Sequence, residues 1–252
     1  MHTHEVDQHA PHQTPHEVMS ITGLRAHPLR MLVVFGTPVA FATTGFLHLV
    51  PWPAGSDIEA YTRLRDHATL WIAIHVVQLL LILLLAVAIY WLTEGLTSTA
   101  ARLSRVALLP YLVFYSAFDS IAGLGRGLVA LYGSQLPAAR QAVLPGVTGA
   151  FSATWHPVPL MIDLIGSLSW AVAVVAAAVA LRHAGAPWAA TIPLGLAGLI
   201  GAYDHAAPYG PVAMALFLTA AVVLSRPRKP LVLQPGLACP GVATGARQHT
   251  GA

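Results

Sequence analysis

The sequence predicts an all-α, polytopic integral membrane helix bundle of six transmembrane helices with both termini in the cytoplasm. Three observations carry this. The chain of 252 residues is 56% hydrophobic and only 9% charged, where soluble domains carry about 25% charged residues. Six apolar segments are long enough, or nearly so, to cross a bilayer. Basic residues gather at one set of segment ends. A soluble fold this poor in charge would expose broad apolar patches. In a bilayer that surface belongs outside, so lipid is the expected partner and the cell membrane the expected location of a multi-pass protein.

Residues 1–30 are polar and hold His2, His4, His9, His12, His16 and His27. They cannot bury a core and read as a disordered, His-rich cytoplasmic tail. Such a tract binds transition metals weakly, although its irregular spacing equally suits a plain solvated tail. The spans follow at about 31–50, 69–92, 106–132, 158–181, 187–203 and 209–225. Against the roughly 20 residues a crossing needs, the last two are short. The third is long enough to tilt or protrude. A signal peptide ending at Ala40-Phe41-Ala42 is the other reading of the first segment. It is opposed by the long polar stretch ahead of it and by an apolar run that continues to Val50. Residues 133–157 form the longest outer connection, and Leu136–Trp155 within it suits an interfacial or re-entrant helix. Residues 226–252 form a second disordered cytoplasmic tail.

With the N-terminus inside, the inner ends hold Arg25, Arg30, Arg102, Arg105, Arg182, Arg226, Arg228 and Lys229. The outer ends hold Arg63, Arg65 and Arg140. This asymmetry is the one expected of inner loops.

Composition excludes several functions. The formal charge of +3 is scattered, with no basic stripe for nucleic acid. The only lysine, Lys229, lies in the C-terminal tail, so no Schiff base forms within the membrane. The single cysteine, Cys239, lies there too. That rules out an intramolecular disulfide, a cysteine zinc site and an iron–sulfur cluster. Phosphate-loop, dinucleotide-binding, His-Glu-x-x-His and nucleophile-elbow patterns are absent. No catalytic residue is assigned, and enzyme activity is left open.

Ionisable residues inside spans are costly and usually face the bundle interior. Here they collect in one outer-leaflet layer drawn from five helices. His48, Asp204 and His205 sit at outer helix ends, with His156 just before one. At a 1.5 Å rise per residue, His75 and Arg126 lie roughly 9 Å below an outer end, and Asp163 roughly 8 Å. Asp119 lies nearer the middle. The inner half is almost free of ionisable groups.

In the third segment Ser116, Asp119, Ser120, Gly123, Arg126 and Gly127 share one helix face. Gly123 and Gly127 form a Gly-x-x-x-Gly pair that lets another helix approach closely. Asp119 and Arg126 are too far apart to pair directly. Arg126 is expected to reach Asp163 or Asp204 on a neighbouring helix. Such a contact is either a buried ion pair that fixes helix packing, or part of an anion- or carboxylate-recognition site or a proton relay.

Along the second segment His67, Trp71, His75 and Gln78 form a stripe. His67 and His75 are about 12 Å apart and cannot share an ion. His75 can do so with help from another helix. His48 is the natural partner, because consecutive antiparallel helices pack side by side. Two facing imidazoles suit haem b. With Asp163 or His205 they suit a transition-metal ion instead. A hydrogen bond from His75 to an Asp, Ser or carbonyl across helices is the simpler alternative. A weak repeat, which chance and ordinary helix-end chemistry would also give, places His48 and His205 in equivalent positions: His48-Leu-Val-Pro51-Trp52 and His205-Ala-Ala-Pro208-Tyr209 both read His-x-x-Pro-aromatic. Trp52, Trp71 and Trp155 read as interface anchors.

The function expected is that of a membrane protein binding haem or a transition metal, at His48, His75 and His205 with Asp163, for redox or small-molecule chemistry. Asp119, Arg126, Asp204, His156 and Gln78 complete the buried polar set. The alternatives are a small transporter of metal ions or organic anions, or an accessory subunit whose polar layer only orders the bundle. A transporter of this size would need to act as a homodimer or in a larger complex.

Overall fold

A computed structural model describes residues 27–48, 56–152 and 156–226. The two tails therefore lie almost wholly outside the described residues, as do Trp52 and Trp155. Every regular element among the described residues is a helix.

Four helices are long and apolar enough to cross a membrane: α1 (Pro28–Leu47), α3 (Ala68–Thr93), α4 (Thr99–Gly133) and α7 (Pro157–His183). Two more apolar helices are shorter, α8 (Trp188–Tyr203, 16 residues) and α9 (Tyr209–Ser225, 17 residues). Three small helices join them: α2 (Asp57–Asp66), α5 (Ala138–Gln141) and α6 (Leu144–Ala150).

The six apolar helices close into a ring. α1 packs on α3, α3 on α4, α4 on α7, α7 on α8, α8 on α9, and α9 returns to α1. Consecutive long helices run antiparallel, so His48, the start of α3, the end of α4 and the α8–α9 turn all meet at one end of the ring. The opposite end is closed by arginines. Arg105 donates to the carbonyls of Thr93 (2.7 Å) and Leu96 (3.0 Å), where α3 has run out of partners of its own. Arg30 bridges to Glu94 at 2.7 Å. There α7 ends on Gly185 at φ 85°, and Ala186 N–H donates to Leu181 C=O at 2.9 Å. A residue in that left-handed conformation is best a glycine.

Between the two ends the ring is packed solid. Ile82, Ile89, Val174, Ala177, Leu194 and Phe217 are fully buried in one continuous apolar core. The outward faces are apolar as well, with Leu80, Leu83, Val106, Leu109, Leu168 and Leu199 exposed. A helix apolar all round belongs in a protein core or a membrane, which fits the four long helices.

The observed helices depart from the expected spans chiefly in α4. It begins at Thr99, where Ser98 accepts a hydrogen bond from Ala101 N–H (3.2 Å). That first turn and its arginines stand before the apolar run. α4 also widens to π geometry at Tyr111–Tyr115 and Asp119–Gly125. Such wide turns occur often at functional sites. α2 was not expected. Its signal is Ser56-Asp57-Ile58-Glu59, the start of a capping box, and Ser56 indeed accepts from Glu59 N–H (3.2 Å). α2 packs on α6 over the ends of α3 and α4. Tyr61, Leu64, Ala130, Leu144 and Trp71 form a second small core there.

Candidate metal centre

His48 follows the last residue of α1, His75 lies two turns into α3, and His205 stands in the turn between α8 and α9. The fold brings these three imidazoles together. Each offers one ring nitrogen, and the three nitrogens lie within 4.8 Å of one another. The ring centroids of His48 and His75 are 5.1 Å apart, as are those of His48 and His205.

Glycines make this convergence possible. A Cβ at Gly123 would overlap the His75 ring. A Cβ at Gly127 would stand 2.6 Å from Ile72 and 2.8 Å from Trp71. The Gly-x-x-x-Gly pair thus does what its spacing suggests, and the helix it admits is the one that carries His75. On the other side, a Cβ at Gly210 would collide with the His205 carbonyl, and one at Gly45 would lie 3.0 Å from the same oxygen. Ala207 N–H donates to Gly45 C=O (3.2 Å), strapping the His205 turn to the end of α1.

The hydrogen-bond inventory is unusual for a buried cluster. His75 Nδ1 bonds the carbonyl of Trp71 at 2.7 Å. A carbonyl accepts only, so Nδ1 carries the proton and Nε2 keeps its lone pair. Among the described residues neither ring nitrogen of His48 has a hydrogen-bond partner, nor does His205 Nε2. Buried polar atoms are nearly always paired. Burial pushes the His48 and His205 imidazoles down from the ordinary histidine value. At His48 the neighbouring imidazoles push the same way, and at His205 the Asp204 and Asp163 carboxylates oppose it. Both rings are therefore neutral near pH 7, the form that binds metal.

Trp71 is a wall of the site, not an interface anchor. It is 4% exposed, its ring centroid lies 4.6 Å from His48 and 4.4 Å from His75, and its Nε1–H donates to Gly123 C=O at 2.7 Å. That bond fixes α3 to the wide turn of α4. Asp119, on the same wide turn, brings Oδ1 to 4.0 Å from His75 Nε2, while its Oδ2 has no partner among the described residues. Gln78, one turn along α3 from His75 and 1% exposed, has no partner for either amide atom.

The remaining expected residues are placed differently. Asp163 accepts from Ser167 Oγ at 3.0 Å and stands outside the three-nitrogen group. Asp204 accepts from Ala206 N–H (2.8 Å) with Oδ1 at 3.8 Å from His205 Nδ1, so it orients the turn. Arg126 makes no ion pair with Asp163 or Asp204 among the described residues. Its guanidinium lies 5.9 Å from the Trp71 ring centroid, with Asp57 of α2 the carboxylate that acts on it. The expected bridge fails because the α2–α6 cap places another acid nearer. His156 is exposed at the start of α7, and His67 is exposed between α2 and α3.

What this arrangement can do is bind one ion. Three imidazoles, one from a helix, one from a helix end and one from a turn, could hold an ion and leave a fourth position for water or an exogenous ligand. A carboxylate beside them can balance charge or take a proton. Comparison of the chain with protein-family models, with curated proteins and with solved structures finds no match.

Proposed function

We propose that the protein is a cell-membrane metalloprotein that holds one transition-metal ion on His48, His75 and His205. The observation that carries this reading is the convergence of three ligand nitrogens within 4.8 Å, with three ring nitrogens of the cluster left unpartnered. A metal ion would take one nitrogen from each of the three rings. Imidazole suits Zn, Cu, Fe and Ni, and three histidines leave the open position of a reactive site. Asp119 stands where it can accept a proton from a ligand at that position.

A single ion is favoured over haem b. The Trp71 indole lies against both His48 and His75, on the side a porphyrin face would need. An ion pathway is disfavoured by the core, because the helix faces below the cluster are filled by residues such as Ile82, Ile89 and Phe217. In this reading all six apolar helices cross the bilayer, with both tails on the arginine side. The ring closes only if α8 and α9 stand beside the four long helices.

Metal analysis of the purified protein, with copper, zinc and iron offered separately, tests the assignment. One ion per chain is expected, lost when His75 is changed to alanine. A protein that takes up none of the three, or keeps its ion in His75→Ala, overturns it.

A further inference from the structure

A half-open cavity of about 20 Å³ lies beside the histidine cluster, lined by His205, Tyr115, Tyr111, Trp170, Met214 and Phe41 among others. Its volume suits one molecule of two or three atoms. Most of its wall is carbon and sulfur, which a water molecule finds poor company. Water needs two to four polar partners in such a place. The rings form a continuous file away from the cluster. Tyr115 lies 5.9 Å from His205, Tyr111 5.4 Å from Tyr115, and Trp170 5.1 Å from Tyr111, centroid to centroid. Tyr111 and Tyr115 are 2% and 5% exposed.

From the size, the apolar wall and the shared residue His205, we infer that this cavity admits a diatomic gas of the dioxygen or nitric oxide class to the metal. The inference rests on the metal reading for the word metal, but the cavity stands apart from it. Apolar gases dissolve better in lipid hydrocarbon than in water, so a bundle within a bilayer is bathed in them. Tyr111 and Tyr115 are among the lining residues, and each carries an O–H donor. A diatomic bound to a metal ion gathers negative charge on its outer atom, and a donor there strengthens the bond.

Two probes test this on the full-length protein in detergent. Xenon, read by the chemical shift of dissolved ¹²⁹Xe, examines the cavity in metal-free protein. Saturable binding is expected in the parent and a loss of at least tenfold in Met214→Trp, which fills the space. No difference between the two overturns the cavity, including the case in which an ordered water keeps xenon out. Carbon monoxide on the copper(I)-loaded protein examines the link to the metal. One infrared C–O stretch is expected, displaced in Tyr111→Phe and Tyr115→Phe proteins that keep their copper. A stretch indifferent to both tyrosines and to Met214→Trp overturns the link. Xenon binding in a protein that takes up no metal supports the cavity and sinks the metal reading instead.

Discussion

The imidazole of His75 occupies the space beside Gly123 that a side chain would otherwise fill. The fit is shared by two helices: α3 supplies the ring, and the wide turn of α4 supplies the gap. Gly123→Ala must therefore push His75 out of the cluster. Overpacking of this kind costs about 1–3 kcal/mol, against a gain in helix propensity of about 1 kcal/mol. Metal affinity is expected to fall at least tenfold by titration with a coloured chelator competitor. Gly125→Ala is the control, because its Cβ would meet nothing closer than 3.5 Å. Equal affinity in the two variants would show that His75 is not held by this contact.

Removal of single imidazoles separates ligands from neighbours. His48→Ala, His75→Ala and His205→Ala are each expected to reduce bound metal to a small fraction of one ion per chain. His67→Ala and His156→Ala are expected to leave it intact, since both residues are exposed and apart from the cluster. Asp119→Asn keeps the shape and removes the charge. Its expected effect is about 10–100-fold in affinity, the range seen for residues that support ligands. If Asp163→Asn costs more than Asp119→Asn, the order of these two carboxylates around the site is wrong.

Much of this was readable in the residues. Apolar runs gave the six helices, and the pairing of His48 with His75 followed from antiparallel neighbours. His205 entered through its resemblance to His48 in a short motif. Other parts escaped because their signals are not local. Trp71 reads like any tryptophan near a helix end, and only the approach of α4 at Gly123 makes it a wall. Asp163 and Asp119 look alike in sequence, each an acid within an apolar run. The rotation of α4, altered by its wide turn, decides that Asp119 faces His75. The apolar pattern does not show α2, so it cannot point Arg126 toward Asp57. The capping signal Ser56-x-x-Glu59 was the available clue.

Acid should release the metal, and the sign follows from the histidines. Burial pushes His48 and His205 down from the ordinary value of about 6.5. Protons therefore start to compete with the ion only below that value, and affinity is expected to hold from pH 8 to about 6.5 and then fall. In the metal-free protein the same groups act on stability. Below about 6.5 the unfolded chain binds protons that the folded cluster refuses, so stability declines as pH falls. Thermal unfolding with and without metal across pH 5–8 measures both effects. Affinity that rises on acidification would contradict neutral imidazole ligands.

The arginine end of the bundle predicts its orientation. Arg30, Arg102, Arg105, Arg182 and Arg226 all lie there, and two of them stack on tryptophans: Arg30 lies 5.4 Å from the Trp91 ring centroid and Arg182 4.5 Å from that of Trp188. Basic residues in short loops face the cytoplasm, and Asp or Glu count for little in that rule, so the Arg30–Glu94 bridge does not cancel it. The chain carries its own reporter, because Cys239 is its single cysteine. A membrane-impermeant maleimide is expected to label Cys239 in inverted vesicles and not in intact cells. Moving the reporter to the other tail, with Cys239→Ser and His16→Cys, is expected to give the same sidedness. Labelling of the two tails from opposite faces would mean an odd number of crossings, and would show that α8 and α9 do not both span.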